Sequence, residues 1–310
     1  MDSQGLAAPQ GGTVRALLTA MRPHQWTKNL LVLAALIFAQ RFTDLPSILH
    51  AVAGFLLFCA ASSATYLLND ACDAERDRAH PRKRLRPIAS GVLPVRTALL
   101  AAVLLALGAV AGGVALRERF GLAVIVYLIL QLAYCFVLKN EAILDVLAIA
   151  AGFCLRAYAG AAVITVPISN WLMICTGLLA LFLSLAKRRH ELLQVEEAAN
   201  HRRSLAGYSE RMLDQMIAIV TASTVMAYAL YTMAPETVAK FGTDHLKFTI
   251  PFVLYGIFRY LYLAYAKDKG DAPSRHFLTD WPLLVDVFLF AAVSIAILYH
   301  SSRTLTEVSP

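Results

Sequence analysis

Residues 66–96 read YLLNDACDAERDRAHPRKRLRPIASGVLPVR, and they close an apolar run at 48–68 with a cluster of acids and then a cluster of bases. Asn69, Asp70, Asp73 and Asp77 fall at offsets of 0, 1, 4 and 8. On a helix of about 3.6 residues per turn these positions share one face. Carboxylate oxygens are hard ligands suited to Mg2+, which keeps several waters and completes its shell with one or two carboxylates and substrate phosphates. Arg78, Arg82, Lys83, Arg84 and Arg86 follow within a few residues. Acids for a metal beside bases for phosphate point to a metal-bridged diphosphate. The alternative from these residues alone is an acid-base cluster that only ends a membrane helix at the water boundary, because D-x-x-D spacings are common.

The apolar run is one of many. Hydrophobic residues make up 58% of the 310-residue chain and charged residues 16%, with a mean hydropathy of +0.60. These values lie far from soluble norms and predict an all-α, polytopic membrane bundle. Nine transmembrane helices are expected, near 25–40, 48–68, 97–116, 121–138, 142–164, 168–186, 213–234, 248–266 and 282–300. With the N-terminus inside, the inner segments carry 20 Lys and Arg against 6 outside. The positive-inside rule then puts the acidic motif on the cytoplasmic side of an inner (cytoplasmic) membrane. It also removes nucleic acid as an explanation of the basic balance. Cys59, Cys72, Cys135, Cys154 and Cys175 show no C-x-x-C pairing and read as small core residues rather than zinc ligands or disulfides.

Along the chain, residues 1–12 are expected as a disordered tail, 13–303 as a single transmembrane domain with cytoplasmic loops at 69–96, 187–211 and 267–281, and 304–310 as a second tail. TVRALLTAMRPH at 13–24 suits a short interfacial helix stopped by Pro23. Trp26 reads as an interfacial anchor, while Lys28 and Asn29 either snorkel or face the site. Asp145 and Arg156 in span five are 11 residues apart and share a face. Arg156 is the favoured intramembrane phosphate ligand, against a buried ion pair as the plainer reading. Span six ends in SLAKRRHEL, placing Lys187, Arg188 and Glu191 within one turn, 118 residues after Asp70 in the case of Arg188. Polar chemistry at the inner end of a span, followed by a basic loop, occurs at both places and hints at an internal repeat of spans one to four and five to eight. His276 and Asp280 in the last inner loop read as solvated.

NDACDAERD and KRLRPIASG, together with RPHQWTKN, VYLILQLAYCFVLKN, LRAYAG and AKRRHEL, resemble the UbiA superfamily of membrane prenyltransferases over nearly the whole chain. The resemblance implies a nine-helix bundle in which the N-D-x-x-D-x-x-x-D motif binds a diphosphate through Mg2+. Most members carry a second aspartate-rich motif at the end of span six; this sequence has Lys187, Arg188 and Glu191 there. In that respect it resembles the decaprenyl-phosphate phosphoribosyltransferase branch. Phosphoribosyl pyrophosphate and a polyprenyl (decaprenyl) phosphate are then the implied partners, beside membrane lipid, in the synthesis of cell-envelope arabinose-type precursors.

On this resemblance Asp70, Asp73 and Asp77, with Asn69, hold Mg2+ against the pyrophosphate. Lys187 and Arg188 are candidates for the sugar 5-phosphate or the acceptor phosphate, and Glu191 for orienting a cation or the ribose hydroxyls. Lys28, Lys83, Arg84 and Arg156 are further phosphate candidates, and Tyr66 and Tyr134 line the ribose pocket. The acidic and cationic turns are expected to open onto a common pocket at the inner membrane surface. The rivals are an aromatic or quinone prenyltransferase using an isoprenyl diphosphate, and a lipid-phosphate transporter. A homo-oligomer is compatible with the main reading.

Overall fold

The computed structural model describes residues 12–81, 83–193, 203–266 and 280–307. The expected loop residues 194–202 and 267–279, with His276, lie outside the described residues, as does Arg82. All regular structure among the described residues is helical. The helices are α1 (Thr13–Ala20), α2 (Ala34–Phe38), α3 (Leu45–Cys72), α4 (Ala74–Arg78), α5 (Val95–Leu116) and α6 (Glu118–Phe136). They continue as α7 (Leu144–Val163), α8 (Asn170–Leu193), α9 (Glu210–Met233), α10 (Pro235–Phe241), α11 (Ile250–Ala266) and α12 (Trp281–Glu307). Among the described residues, eight helical segments are long and apolar enough to cross a membrane, matching the second to ninth expected spans, and the protein is an integral membrane protein.

The first expected span takes a different form. Residues Pro23–Leu33 are a 3₁₀ helix that passes into the five-residue α2. At about 2.0 Å per residue the 3₁₀ stretch covers roughly 22 Å, and α2 adds about 7 Å. Laid end to end, the two segments would match a hydrocarbon core of about 30 Å. Its polar side chains explain the departure from an α-helix. Trp26 Nε1 donates to Ser63 Oγ at 3.0 Å, and the fully buried Asn29 donates to Ser62 Oγ at 3.0 Å. The backbone also lies close to α7: a Cβ on Gly160 would sit 2.2 Å from the Val32 carbonyl oxygen, so only glycine fits there.

The chain divides into two compact units, one of residues 1–138 and 151–168, the other of 139–150 and 169–310. In the first, α3 is capped by Asp44, whose side chain accepts from Ser47 N. Its 28 residues extend about 42 Å, so its last turn, with Asn69 and Asp70, can stand beyond the bilayer core. The α5–α6 hairpin closes tightly, since a Cβ on Gly121 would meet Val114 backbone nitrogen at 2.7 Å. Phe58 packs against Phe120 and Tyr127 at ring-centroid distances of 6.0 and 5.0 Å, with Val32, Ala159 and Val163 around them. The short α1 buries Ala16 and Ala20 in a cluster with Leu67, Ile88 and Leu93, and leaves Val14 and Leu18 exposed, as an interfacial helix should. In the second unit, Phe182, Leu185, Leu213, Ile217, Ile257 and Tyr260 form the core of α8, α9 and α11.

Candidate functional site

The acidic motif is not one continuous helical face. Helix α3 stops at Cys72, Asp73 takes φ −92° and ψ 4°, and α4 starts at Ala74. The break keeps Asp70 and Asp77 buried, at 2% and 3% exposure, and leaves Asp73 half-buried. Arg22 Nη2 donates to both oxygens of Asp70, at 2.6 and 2.8 Å. Arg86 Nη1 donates to Asp70 Oδ1 at 3.1 Å and to Asp77 Oδ2 at 2.6 Å. Asp73 approaches Arg76 only at 4.0 Å, and Asn69 Oδ1 accepts from Cys135 Sγ at 3.6 Å. Arg22 also lies 5.1 Å over the Tyr66 ring.

Two buried carboxylates thus converge on one cationic nitrogen. Among the described residues no three acidic, histidine or cysteine side chains gather into a closed metal cage. Mg2+ shared with a phosphate needs only one or two carboxylates, so the Asp70–Asp77 pair has the donor chemistry to fit it.

Arg156, buried at 5% exposure, donates from Nε to Asn29 Oδ1 at 2.8 Å, from Nη1 to Gly152 O at 3.0 Å and from Nη2 to Tyr127 Oη at 2.9 Å. The Tyr127 and Phe153 rings flank it at 4.9 and 5.2 Å. Among the described residues no carboxylate pairs with it, and its partners are neutral. The ion pair with Asp145 suggested by their shared helical face does not form.

Asp145 is engaged elsewhere. It is fully buried and accepts from Arg188 Nε at 2.8 Å, Tyr208 Oη at 2.7 Å and Ser204 Oγ at 3.3 Å. Tyr208 Oη in turn accepts from the backbone N–H of Ile143 at 2.6 Å, where Ile143 has φ 70°. Burial first, and then the hydrogen bond to Asp145, push the Tyr208 hydroxyl up to about 12, so it is a donor at neutral pH. Arg188, 1% exposed, also pairs with Glu191, which lies 3.8 Å from the more exposed Lys187. Arg189 next to it pairs with Asp214 at 2.6 Å and Glu210 at 2.9 Å.

The expected residues are therefore sorted by the structure. Asp70 and Asp77 are brought together through Arg86, and Tyr66 to Asp70 through Arg22. Lys187, Arg188 and Glu191 form one group. Lys28 and Arg84 are exposed, and Lys83 and Tyr134 half-buried. Asp280, read from sequence as solvated, instead accepts two hydrogen bonds from Arg259, at 3.0 and 2.9 Å, and is 8% exposed. Arg22, Tyr127 and Tyr208 were not among the expected site residues, whereas Arg86 was read as one of the bases after the acidic motif, Asn29 as snorkelling or facing the site, and Asp145 as sharing a face with Arg156. The sequence signal for Arg22 and Tyr127 is that they lie in the RPHQWTKN and VYLILQLAYCFVLKN motifs.

Between α9 and α11 runs an apolar groove of about 710 Å3, lined by Ile217, Thr221, Val225, Phe258, Leu261 and Tyr262 among others.

Comparison with known proteins identifies the family. The decaprenyl-phosphate phosphoribosyltransferase of Corynebacterium glutamicum is 37% identical over 295 residues, 89% of this chain and 85% of that one. Its namesake in Mycolicibacterium smegmatis is 35% identical over 274 residues, 83% of this chain and 86% of the relative. A solved UbiA homologue from Archaeoglobus fulgidus, bound to DMAPP and Mg2+, shares the fold with a TM-score of 0.71 at 22% identity, over 92% of this chain and 99% of that one. With the profile of the UbiA prenyltransferase family also matching residues 30–281, the chain belongs to the UbiA prenyltransferase family.

Proposed function

We propose that this protein transfers a 5-phosphoribosyl group from phosphoribosyl pyrophosphate to a polyprenyl phosphate and releases pyrophosphate. The observation that carries the reading is the 35–37% identity, over more than four fifths of both chains, to enzymes named decaprenyl-phosphate phosphoribosyltransferase. The end of α8 supports it: Lys187 and Arg188 stand there, where the resemblance implies a second aspartate-rich motif in most members of the superfamily. A donor with an extra 5-phosphate and an acceptor that is itself a phosphate call for cations rather than carboxylates.

In the proposed reaction an acceptor phosphate oxygen attacks C1 of the ribose, and the C1–O bond to pyrophosphate breaks with its electron pair going to the leaving group. The acceptor is already ionised at neutral pH, so no strong general base is needed. Asp70 and Asp77, with Asn69 and Asp73 beside them, hold Mg2+, which supplies charge that stabilises the departing pyrophosphate. Arg86, Lys83, Arg84, Lys28 and Arg156 are the proposed phosphate contacts of the first unit, and Tyr66 and Tyr134 those of the ribose. In the second unit Lys187 meets a further phosphate, and Arg188, enclosed between Asp145 and Glu191, fixes the turn that presents it. The groove between α9 and α11 offers apolar walls for the polyprenyl chain. By the positive-inside rule the chemistry lies on the cytoplasmic side of the inner membrane.

The test is purified protein in detergent, given labelled phosphoribosyl pyrophosphate and a panel of polyprenyl phosphates. Pyrophosphate release should require both a polyprenyl phosphate and a divalent metal. Turnover of an isoprenyl diphosphate with an aromatic acceptor instead, or movement of a lipid phosphate without pyrophosphate release, would overturn the reading.

A further inference from the structure

Resting on the metal–diphosphate reading above, we propose that Arg22 is a diphosphate ligand held in reserve: it neutralises Asp70 while the site waits, and moves to a substrate phosphate when Asp70 takes the metal. Both oxygens of Asp70 are engaged by Arg22 Nη2, and one of them also by Arg86. A divalent cation on Asp70 requires at least one oxygen back. The contact that must yield is with Arg22 or with Arg86, and the two differ. Arg86 Nη1 is shared between Asp70 and Asp77, so it keeps a carboxylate if it lets Asp70 go. Among the described residues the Arg22 side chain donates to Asp70 alone, and its remaining donors suit a phosphate.

Placement agrees with a ligand able to move. The Arg22 side chain keeps 22% of its surface open, against 1% for Arg188 in its pair with Asp145. Arg22 sits at the joint between α1 and the 3₁₀ segment, with φ 55° and ψ 61°, directly before Pro23. A non-glycine residue is disfavoured in the left-handed region, and a following proline also restricts its backbone. The Asp70 contact helps to hold this conformation, and releasing it lets the joint relax. The face of Tyr66, 5.1 Å away, gives the guanidinium a rest that does not depend on the carboxylate.

The exchange predicts effects of opposite sign. Removing Arg22 takes a competing positive charge from Asp70 and should strengthen metal binding, while it removes a phosphate contact and should weaken the diphosphate. A residue that only tethers α1 to α3 would weaken both. Mn2+ binding, followed by electron paramagnetic resonance without substrate, and pyrophosphate binding with Mn2+ present separate the cases. For Arg22→Ala we expect Mn2+ to bind about threefold tighter and pyrophosphate about tenfold weaker. Arg22→Lys, which keeps the charge without the fork, should leave Mn2+ binding unchanged and weaken pyrophosphate about fivefold, and it decides the matter if Arg22→Ala does not fold. Parallel weakening of Mn2+ and pyrophosphate, or unchanged pyrophosphate binding, overturns the role of Arg22 and leaves the metal reading standing. If the wild-type protein binds no Mn2+, or Asp77→Ala binds it equally well, the metal reading falls, and Arg22's role with it.

Discussion

At the turn carrying Asp70 and Asp77 the acids are buried, while their arginine partners keep 22% and 28% of their side chains open. At the end of α8 both partners are enclosed, Asp145 at 0% and Arg188 at 1%. A charge pair with one open partner can exchange it for an ion or a ligand, because water replaces what leaves. A pair closed on both sides cannot, since either partner alone would be stranded in low dielectric. The first arrangement suits a site that fills and empties; the second suits a strut. The difference also ranks the consequences of substitution.

The largest effect on the fold is expected at the strut. Asp145→Ala strips the buried Arg188 of its enclosed carboxylate, and should destabilise by about 3–5 kcal/mol, read as thermal unfolding in detergent. The double replacement Asp145→Leu with Arg188→Met removes both charges and should recover most of that loss. A single variant as stable as the wild type would erase the distinction between the two turns. The largest effect on chemistry is expected at the other turn, where Asp77→Ala should lower pyrophosphate release about 10²- to 10³-fold. Its unfolding temperature should move little, because Arg86 is partly open to solvent and keeps Asp70.

Much of this was legible in residue order. Eight spans announce themselves by hydropathy, and the acids at 70 and 77 by their place at the end of one of them. What was hidden is how charges pair across helices. Arg22 and Asp70 are 48 residues apart, and Asp145 and Arg188 are 43 apart. Helical spacing suggested Asp145 with Arg156 because both lie on α7, but spacing along one helix says nothing about a better partner on another. Similarly, the apolar count at 25–40 implied an α-helix, whereas the buried Asn29 and the Trp26 contact to Ser63 hold that stretch in a 3₁₀ path. Burial of polar groups decided both, and burial is a tertiary property.

Within the strut a smaller cut is available. Tyr208→Phe removes one of the donors to Asp145 and leaves the Ile143 N–H without its acceptor. Arg188 and Ser204 still serve the carboxylate, so the expected loss is about 1–3 kcal/mol, well below that of Asp145→Ala. A loss as large as that of Asp145→Ala would mean that the hydroxyl, rather than the ion pair, is what closes the turn.

The smallest effects belong to a third pair, as open as those of the acidic turn. Arg259 is 25% exposed and Asp280 8%, joined by two parallel hydrogen bonds, and Asp280 Oδ1 also accepts from Leu283 N at the start of α12. Arg259→Ala removes the ion pair and the stacking on the Tyr262 ring at 5.3 Å, both at a position water can reach, and should be the mildest of these changes. Asp280→Ala removes the same pair and the helix cap, so it should cost about 0.5–2 kcal/mol more than that. If openness governs the cost of losing a partner, Arg259→Ala must fall well below Asp145→Ala in unfolding temperature, although both break an arginine–aspartate contact near 2.8–3.0 Å. Equal losses would show that contact distance, and not access to water, sets the energy of these pairs.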